Sequence, residues 1–342
     1  MQSIAHLIPS IHPIFEDFDR MYAQLSVKTE KKPLIPNQYD RSFQPLYEMF
    51  ENYGHSGYIE YKNMDYKPLP VSEKDNTVIV CFSGGKDSLA TVLYYLKRRY
   101  NVILYHLRGI NQTYKDEHKA VETLGGLLGL PVVIEELTLR GTHDYIEHPM
   151  KNMIIANGAI QYAVRNHIGI RVAFGNFNTS SLDNDEFEIC GGDCYEMWKI
   201  YQRIIRHIAP RLRILTPLEN MQSTINLVLE KPNLIPYTQS CIGAYRYREK
   251  LHKLNERKYG VTLLEHRCGS CWKCCLEYCI FCDNDIFEYN DGYYKHCLNI
   301  LQNTLYQETG NHYDLFSVWH HYFFYPMSKS KYLGNTNEST VI

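Results

Sequence analysis

No uninterrupted apolar run in this 342-residue chain approaches the roughly 18 residues that span a bilayer, so no membrane-crossing helix is expected. The stretch from Met1 to Arg20 lacks the basic start, apolar run and small-residue cleavage site of an export signal, and a soluble cytoplasmic protein is the expectation. An excess of positive charge is missing too. The 36 Lys and Arg stand against 38 Asp and Glu, for a net charge of -2, which leaves no global field to hold a polyanion non-specifically. Charged residues at 22% and hydrophobic ones at 44% are those of an ordinary soluble protein, so wholesale disorder, collagen and coiled-coil readings fall away, and there is no internal repeat or low-complexity tract. The cysteine count does not suit a secreted disulfide framework: it is odd, at 11, and five of the 11 crowd between Cys271 and Cys282. That crowding points to metal or redox chemistry.

Tyrosine is abundant, at 29 residues, many near the two ends. Such amphipathic rings can line an interface or stack on a flat ligand, but half-buried packing is the commoner use. Residues 1–76 hold Pro9, Pro13, Pro33, Pro36, Pro45, Pro68 and Pro70 and read as an N-terminal extension with short helices near 12–25 and 42–52. From Thr77 the pattern changes. The β-branched run Val78 to Phe82 reads as a buried parallel strand, and Asp87 to Arg99 carries Leu89, Val92, Leu93 and Leu96 at helical spacing. Strands at 101–107, 132–137, 171–174 and 212–215 then alternate with helices at 114–128, 150–165, 194–208 and 218–229. This alternation predicts an α/β fold with a doubly wound parallel sheet over 77–231, its sites lying beyond the carboxyl ends of the strands. After Pro232 the alternation stops, leaving a cysteine-rich subdomain at 232–283 and a C-terminal extension at 284–342. In that extension His312, His320 and His321 stand among Trp319, Tyr322, Phe323 and Phe324, which reads as an aromatic docking segment rather than a metal site.

Ser83-Gly84-Gly85-Lys86-Asp87-Ser88 follows the first sheet strand and opens a helix. Two glycines let backbone N–H groups close on an oxygen-rich ligand, and the helix start adds its dipole. Lys86 supplies a positive charge, Ser83 and Ser88 hydroxyls, and Asp87 a carboxylate that could hold magnesium or cap the helix. The spacing is not the Walker pattern, because the glycines adjoin. The loop resembles the pyrophosphate loop of the ATP pyrophosphatases that activate a substrate by adenylation. The resemblance implies an adenine nucleotide alpha hydrolase-like sheet of the HUP type, cleavage of ATP to AMP and pyrophosphate, and Lys86 and Asp87 in catalytic roles.

Cys268, Cys271 and Cys274 recur at two-residue gaps, and Cys241 could complete a four-thiolate zinc site. Cys279 and Cys282 form a competing pair, while Cys275 and Cys297 are spare. The order of glycine loop, Thr216-Pro217-Leu218, one Cys and then Cys-Gly-x-Cys-x-x-Cys resembles the 7-cyano-7-deazaguanine synthase (QueC) family over about residues 78–283. Gly175-Asn176-Phe177-Asn178 and Asp193-Cys194 resemble shorter pieces of it. The resemblance implies zinc on Cys241, Cys268, Cys271 and Cys274, and substrate contacts from Asn176 and Asp193. It also implies queuosine-type chemistry: a 7-carboxy-7-deazaguanine carboxylate is adenylated and aminated by ammonia to the amide, then dehydrated to the nitrile. Asp193 could equally be the N-cap of the helix that follows.

Tyr195, Lys151-Asn152 and the long acidic segment 179–192 depart from that family, and a diverged adenylating relative acting in phage defence or in nucleic-acid or protein modification shares the pattern. Two rivals remain. One is a tRNA thiolase using an exposed thiol such as Cys190, Cys194, Cys279 or Cys282; the other is a non-catalytic zinc module. The carboxylates of Asp183, Asp185, Glu186 and Glu188 disfavour a polyanion, so the expected substrate is a free deazapurine base, not nucleic acid. The terminal extensions are assigned homodimer or protein-partner contacts.

Overall fold

The computed structural model describes residues 4–6, 10–25, 38–52, 59–70, 76–108, 117–139, 150–169, 171–175, 195–211, 213–218, 221–240, 248–263 and 267–309. The chain divides into two compact units, Met1–Ser83 with Asp87–Glu219, and Gly84–Lys86 with Asn220–Ile342.

The first unit opens with strand β1 (Ile4–His6), helix α1 (Pro13–Leu25), strand β2 (Gln38–Asp40), a 3-10 turn (Arg41–Phe43), helix α2 (Gln44–Asn52) and strand β3 (Glu60–Lys62). The alternating part follows as β4 (Thr77–Cys81), α3 (Lys86–Lys97), β5 (Asn101–Arg108), α4 (Glu117–Leu128), β6 (Val132–Leu139), α5 (Lys151–Arg165), β7 (Arg171–Ala173), α6 (Tyr195–Arg206) and β8 (Arg213–Leu215). Strands pair in the order β1-β6-β5-β4-β7-β8. The five from β6 to β8 are parallel, and β1 runs antiparallel along the β6 edge. The fold is thus α/β with a five-stranded parallel sheet, the strand and helix alternation falling where the hydrophobic pattern puts it.

All five residues of β4 are buried, as a central strand with neighbours on both edges demands. Ile79 faces Ile103 on one side and Val172 on the other, and burying each such side chain is worth roughly 1.5–3 kcal/mol. Successive residues of β5 point to opposite faces, and two glycines show which helix covers each. A Cβ at Gly125 of α4 would meet Leu104 and Val132, whereas one at Gly158 of α5 would run into the Tyr105 ring and hydroxyl. Helices therefore cover both faces of the sheet, α4 on the Leu104 face and α5 on the Tyr105 face.

The N-terminal segment, legible as short helices, proves to be part of this core. Helix α1 packs on α5, and α2 on α6. Phe15, Phe18, Met21, Phe43 and Tyr47 are buried in one cluster with Tyr105, Ile154, Ile160, Trp198 and Tyr201. Leu69 N–H donates to the Ile208 carbonyl at 2.8 Å, and His12 Nε2 donates to the Lys67 carbonyl at 2.8 Å, so residues 59–70 are tied down as well. Beneath them Asp17 is held by Arg20 and the Tyr66 hydroxyl, while burial raises its carboxyl above the usual range. Tyr39, Tyr105 and Tyr201 are fully buried, so much of the tyrosine in this unit serves packing.

The second unit holds α7 (Met221–Leu229), a 3-10 stretch (Pro232–Tyr237), α8 (Arg248–Tyr259), α9 (Trp272–Asp283) and α10 (Asp291–Thr309). Its strongest pairing is α9 on α10, with Tyr278, Tyr293 and Tyr294 buried among Leu276, Phe281 and Leu298. No helix among the described residues is long and apolar enough to cross a membrane.

Two helical glycines of the sheet unit, Gly158 of α5 and Gly126 of α4, should respond oppositely to a methyl group. Gly158→Ala is expected to cost about 1–3 kcal/mol by overpacking Tyr105. Gly126→Ala, with open space around it, should be neutral or stabilise by up to about 1 kcal/mol. Urea denaturation of both variants checks the pair.

Candidate functional site

In the strand order β6-β5-β4-β7-β8 the chain winds outward one way from β4 and returns to wind the other way from β7. Connections at the ends of β4 and β7 diverge, and ligands of open α/β sheets bind at such a switch point. The glycine loop stands there. Helix α3 begins at Lys86, so the loop proper is Ser83-Gly84-Gly85 and the rest of the motif forms the first helical turn. Ser83 is exposed, Asp87 half-buried, and Gly84, Gly85, Lys86 and Ser88 are buried.

Gly84 has φ +78°, a left-handed conformation that side chains rarely adopt. Its carbonyl accepts the Gln239 N–H at 2.7 Å. The Ser83 and Ser88 hydroxyls stand 3.4 Å apart, close enough to act on one ligand group. Thr91 Oγ1 donates to the Asp87 carbonyl at 3.0 Å and lies 3.4 Å from the Phe174 carbonyl, linking the first turn of α3 to the end of β7. Gly175 is what allows that approach: a Cβ there would stand 2.6 Å from both the Asp87 carbonyl carbon and the Ser88 nitrogen.

Two contributions escape the sequence pattern. Gly175 was visible as a turn glycine, but its packing on the first turn of α3 is a tertiary fact. His106, one polar residue in an apolar strand, pairs its Nδ1 with the Phe82 carbonyl at 3.0 Å. Burial lowers its pKa to about 4, so the ring is neutral near pH 7 and, with Nδ1–H as donor, it pins the residue that precedes the loop. Asn176, Asp193, Cys190, Cys194 and the acidic residues Asp183, Asp185, Glu186 and Glu188 lie outside the described residues, as do His312, His320 and His321.

The second cluster is a group of thiols that could hold a metal ion. The Sγ atoms of Cys268, Cys271 and Cys274 all lie within 4.8 Å of one another, and those of Cys268 and Cys274 are 4.0 Å apart. Thiolates on a tetrahedral zinc, at about 2.3 Å from the metal, stand roughly 3.8 Å apart, so the three could hold zinc. The backbone is folded to suit. Gly269 turns at φ +66°, and the N–H groups of Ser270 and Cys271 point at Cys268 Sγ at 3.4 and 3.3 Å, stabilising a thiolate. Tyr293 Oη donates to the Gly269 carbonyl at 2.7 Å, and His252 Nε2 donates to that of Arg267. Cys241, the expected fourth ligand, lies outside the described residues. The competing pair, Cys279 and Cys282, is buried along α9 and not drawn into the group. Hydrogen bonding with Cys297, together with burial, pushes the Cys275 and Cys279 thiols up, which keeps them neutral.

No protein-family model matches the chain, and no curated protein matches it either. Among solved structures it is similar to the crystal structure of a predicted subunit of tRNA methyltransferase from Methanocaldococcus jannaschii, at 16% identity and a TM-score of 0.27, covering 56% of this chain and 91% of that one. A likeness of that size supports neither a fold assignment nor an activity. What stands is an α/β protein with a glycine loop at the switch point of its parallel sheet and a three-cysteine group fit for a metal.

Gly175→Ala should therefore force the first turn of α3 away from β7. The expected result is a loss of about 2–4 kcal/mol in chemical denaturation, far beyond an ordinary exposed Gly→Ala change. For the cysteines, metal analysis should find zinc bound by the purified protein, and Cys268→Ser should lose metal and soluble protein together. Zinc retained by Cys268→Ser but lost by Cys279→Ser would overturn the ligand set.

Proposed function

We propose that the chain is an ATP-dependent carbon–nitrogen ligase that adenylates the carboxylate of a 7-carboxy-7-deazaguanine-like base and replaces the adenylate with ammonia. The observation that carries this reading is the Ser83–Ser88 loop at the junction of β4 and α3, with Gly84 in a left-handed turn and Gly175 backing the first helical turn. Such a loop offers backbone N–H groups, a helix start, paired hydroxyls and the Lys86 ammonium to a run of phosphates.

In the first step a carboxylate oxygen attacks the α-phosphorus of ATP, and the bond from that phosphorus to the bridging oxygen breaks, releasing pyrophosphate. Lys86 and the loop amides would offset the charge that builds on the leaving group. Ammonia then attacks the acyl carbon and loses a proton as AMP departs, leaving the amide. A second adenylation, on the amide oxygen, lets AMP carry that oxygen away while the nitrogen loses two protons, giving the nitrile. Magnesium bound with ATP would neutralise phosphate charge, with Asp87 the loop carboxylate available to it. Zinc on Cys241, Cys268, Cys271 and Cys274 would be structural, since four protein ligands leave no open position. Asn176 and Asp193 are assigned to the base. The thiolase alternative needs an exposed nucleophilic cysteine, and two of its candidates, Cys279 and Cys282, are buried.

Incubation with ATP, ammonium and 7-carboxy-7-deazaguanine should yield AMP, pyrophosphate and a product that mass spectrometry identifies as the amide or nitrile. Asp87→Ala should lower turnover by at least about a hundredfold while the circular dichroism spectrum is kept. Release of ADP and phosphate instead would refute the adenylation chemistry. Activity confined to the base already built into tRNA or DNA would refute the free-base substrate alone.

A further inference from the structure

The residue before the first cysteine of the metal group is Arg267, and it is buried with Glu277 of α9, to which it is paired. A buried guanidinium is costly unless its hydrogen bonds are made, so where its second arm goes is informative. Arg267 Nη2 donates to Thr238 Oγ1 at 3.1 Å. Thr238 is fully buried, and its hydroxyl donates in turn to the Ile235 carbonyl at 2.8 Å, which fixes its rotamer. The next residue, Gln239, gives its backbone N–H to the Gly84 carbonyl at 2.7 Å. Every member of this chain of bonds, from Cys268 through Arg267, Thr238 and Gln239 to Gly84, belongs to the second compact unit.

The bond to Gly84 matters because of that residue's backbone. At φ +78° a glycine has several accessible wells, and one hydrogen bond to its carbonyl selects among them. The carbonyl of residue 84 and the N–H of residue 85 share a peptide plane, so fixing one aims the other. Among the described residues that plane is held from outside the loop by Gln239, and Gln239 is held in place by the threonine beside it.

We propose that Arg267 and Thr238 are positioning residues that tie the glycine loop to the cysteine group, so that an intact metal site sets the aim of the loop amides. The consequence for nucleotide binding rests on the proposed function; the mechanical coupling does not. Metal loss or damage to this chain of bonds would loosen residues 83–86 before it unfolded the sheet.

Thr238→Val keeps the shape of the side chain and removes the acceptor for Arg267. The double variant Arg267→Met with Glu277→Gln removes both buried charges and so leaves neither uncompensated. Tyr294→Phe, which deletes a hydroxyl bond to Asp283 elsewhere in the same unit, is the control. Zinc content, hydrogen–deuterium exchange of a peptide over residues 81–90 and ATP affinity by calorimetry are measured for all three and for the natural chain. The expected result is retained zinc, faster exchange at 81–90 in Thr238→Val and the double variant than in Tyr294→Phe, and about fivefold to tenfold weaker ATP binding. Exchange at 81–90 that is unchanged, or that rises no more than in the control, overturns the coupling. If the natural chain binds no ATP while exchange at 81–90 still responds, the coupling stands and the adenylation reading fails.

Discussion

The central constraint on this protein is the pairing of β4 on both edges. A five-residue strand buried over its whole length can satisfy its backbone only through two neighbours, and here these are β5 and β7. Because β5 and β6 are built outward on one side, the chain has to cross back before β7 can pair on the other. That return crossover is α5, and its cost is a crevice at the carboxyl end of β4, where no connection runs directly across. Gly175 narrows the crevice by letting the end of β7 meet the backbone of Asp87 and Ser88, and Gly84 supplies the turn that lets α3 start so close to the strand. The candidate phosphate site is thus a by-product of strand order, sharpened by two glycines at positions where a side chain would not fit.

Much of this was legible because burial writes itself into periodicity. The run Val78 to Phe82, short and followed at once by glycines, reads as a buried strand, and the helical spacing of Leu89, Val92, Leu93 and Leu96 as the helix after it. The three-residue strands β7 and β8 were legible from their place in the strand and helix alternation, whereas β1, β2 and β3, equally short, lie outside it and left no signal, so the antiparallel edge at Ile4–His6 was invisible. The sequence near 12–25 and 42–52 announced short helices without saying what they cover. Only the structure shows that Phe15, Phe18 and Phe43 close the face of the sheet cluster that α5 and α6 begin. A hydrophobic face read from sequence says that something will cover it and leaves the partner open.

The cysteines divide along the same line. Cys268, Cys271 and Cys274 were readable as a metal group because their spacing is local and the Gly269 turn brings them together. Cys275, Cys279, Cys282 and Cys297 had an ambiguous pattern, and the structure resolves it in favour of packing: all four are buried, on two helices that form the tightest pair of their unit. Cys275 and Cys279, whose thiols are pushed up, behave as small hydrophobes within α9, which is buried along Cys274 to Cys282.

The polar groups of the second unit belong to a different logic. Arg267 stands ten residues from Glu277 and 29 from Thr238, and nothing in spacing or composition could pair them. A buried ion pair adds little stability, because it costs nearly as much to desolvate as it returns. What such a pair does supply is direction, because a guanidinium with two partners has only one orientation that serves both. Set between a cysteine group and a glycine carbonyl, that fixed orientation converts the folding of the cysteine turn into the conformation of a loop, and it accounts for a buried charge at a position where a leucine would pack at less cost.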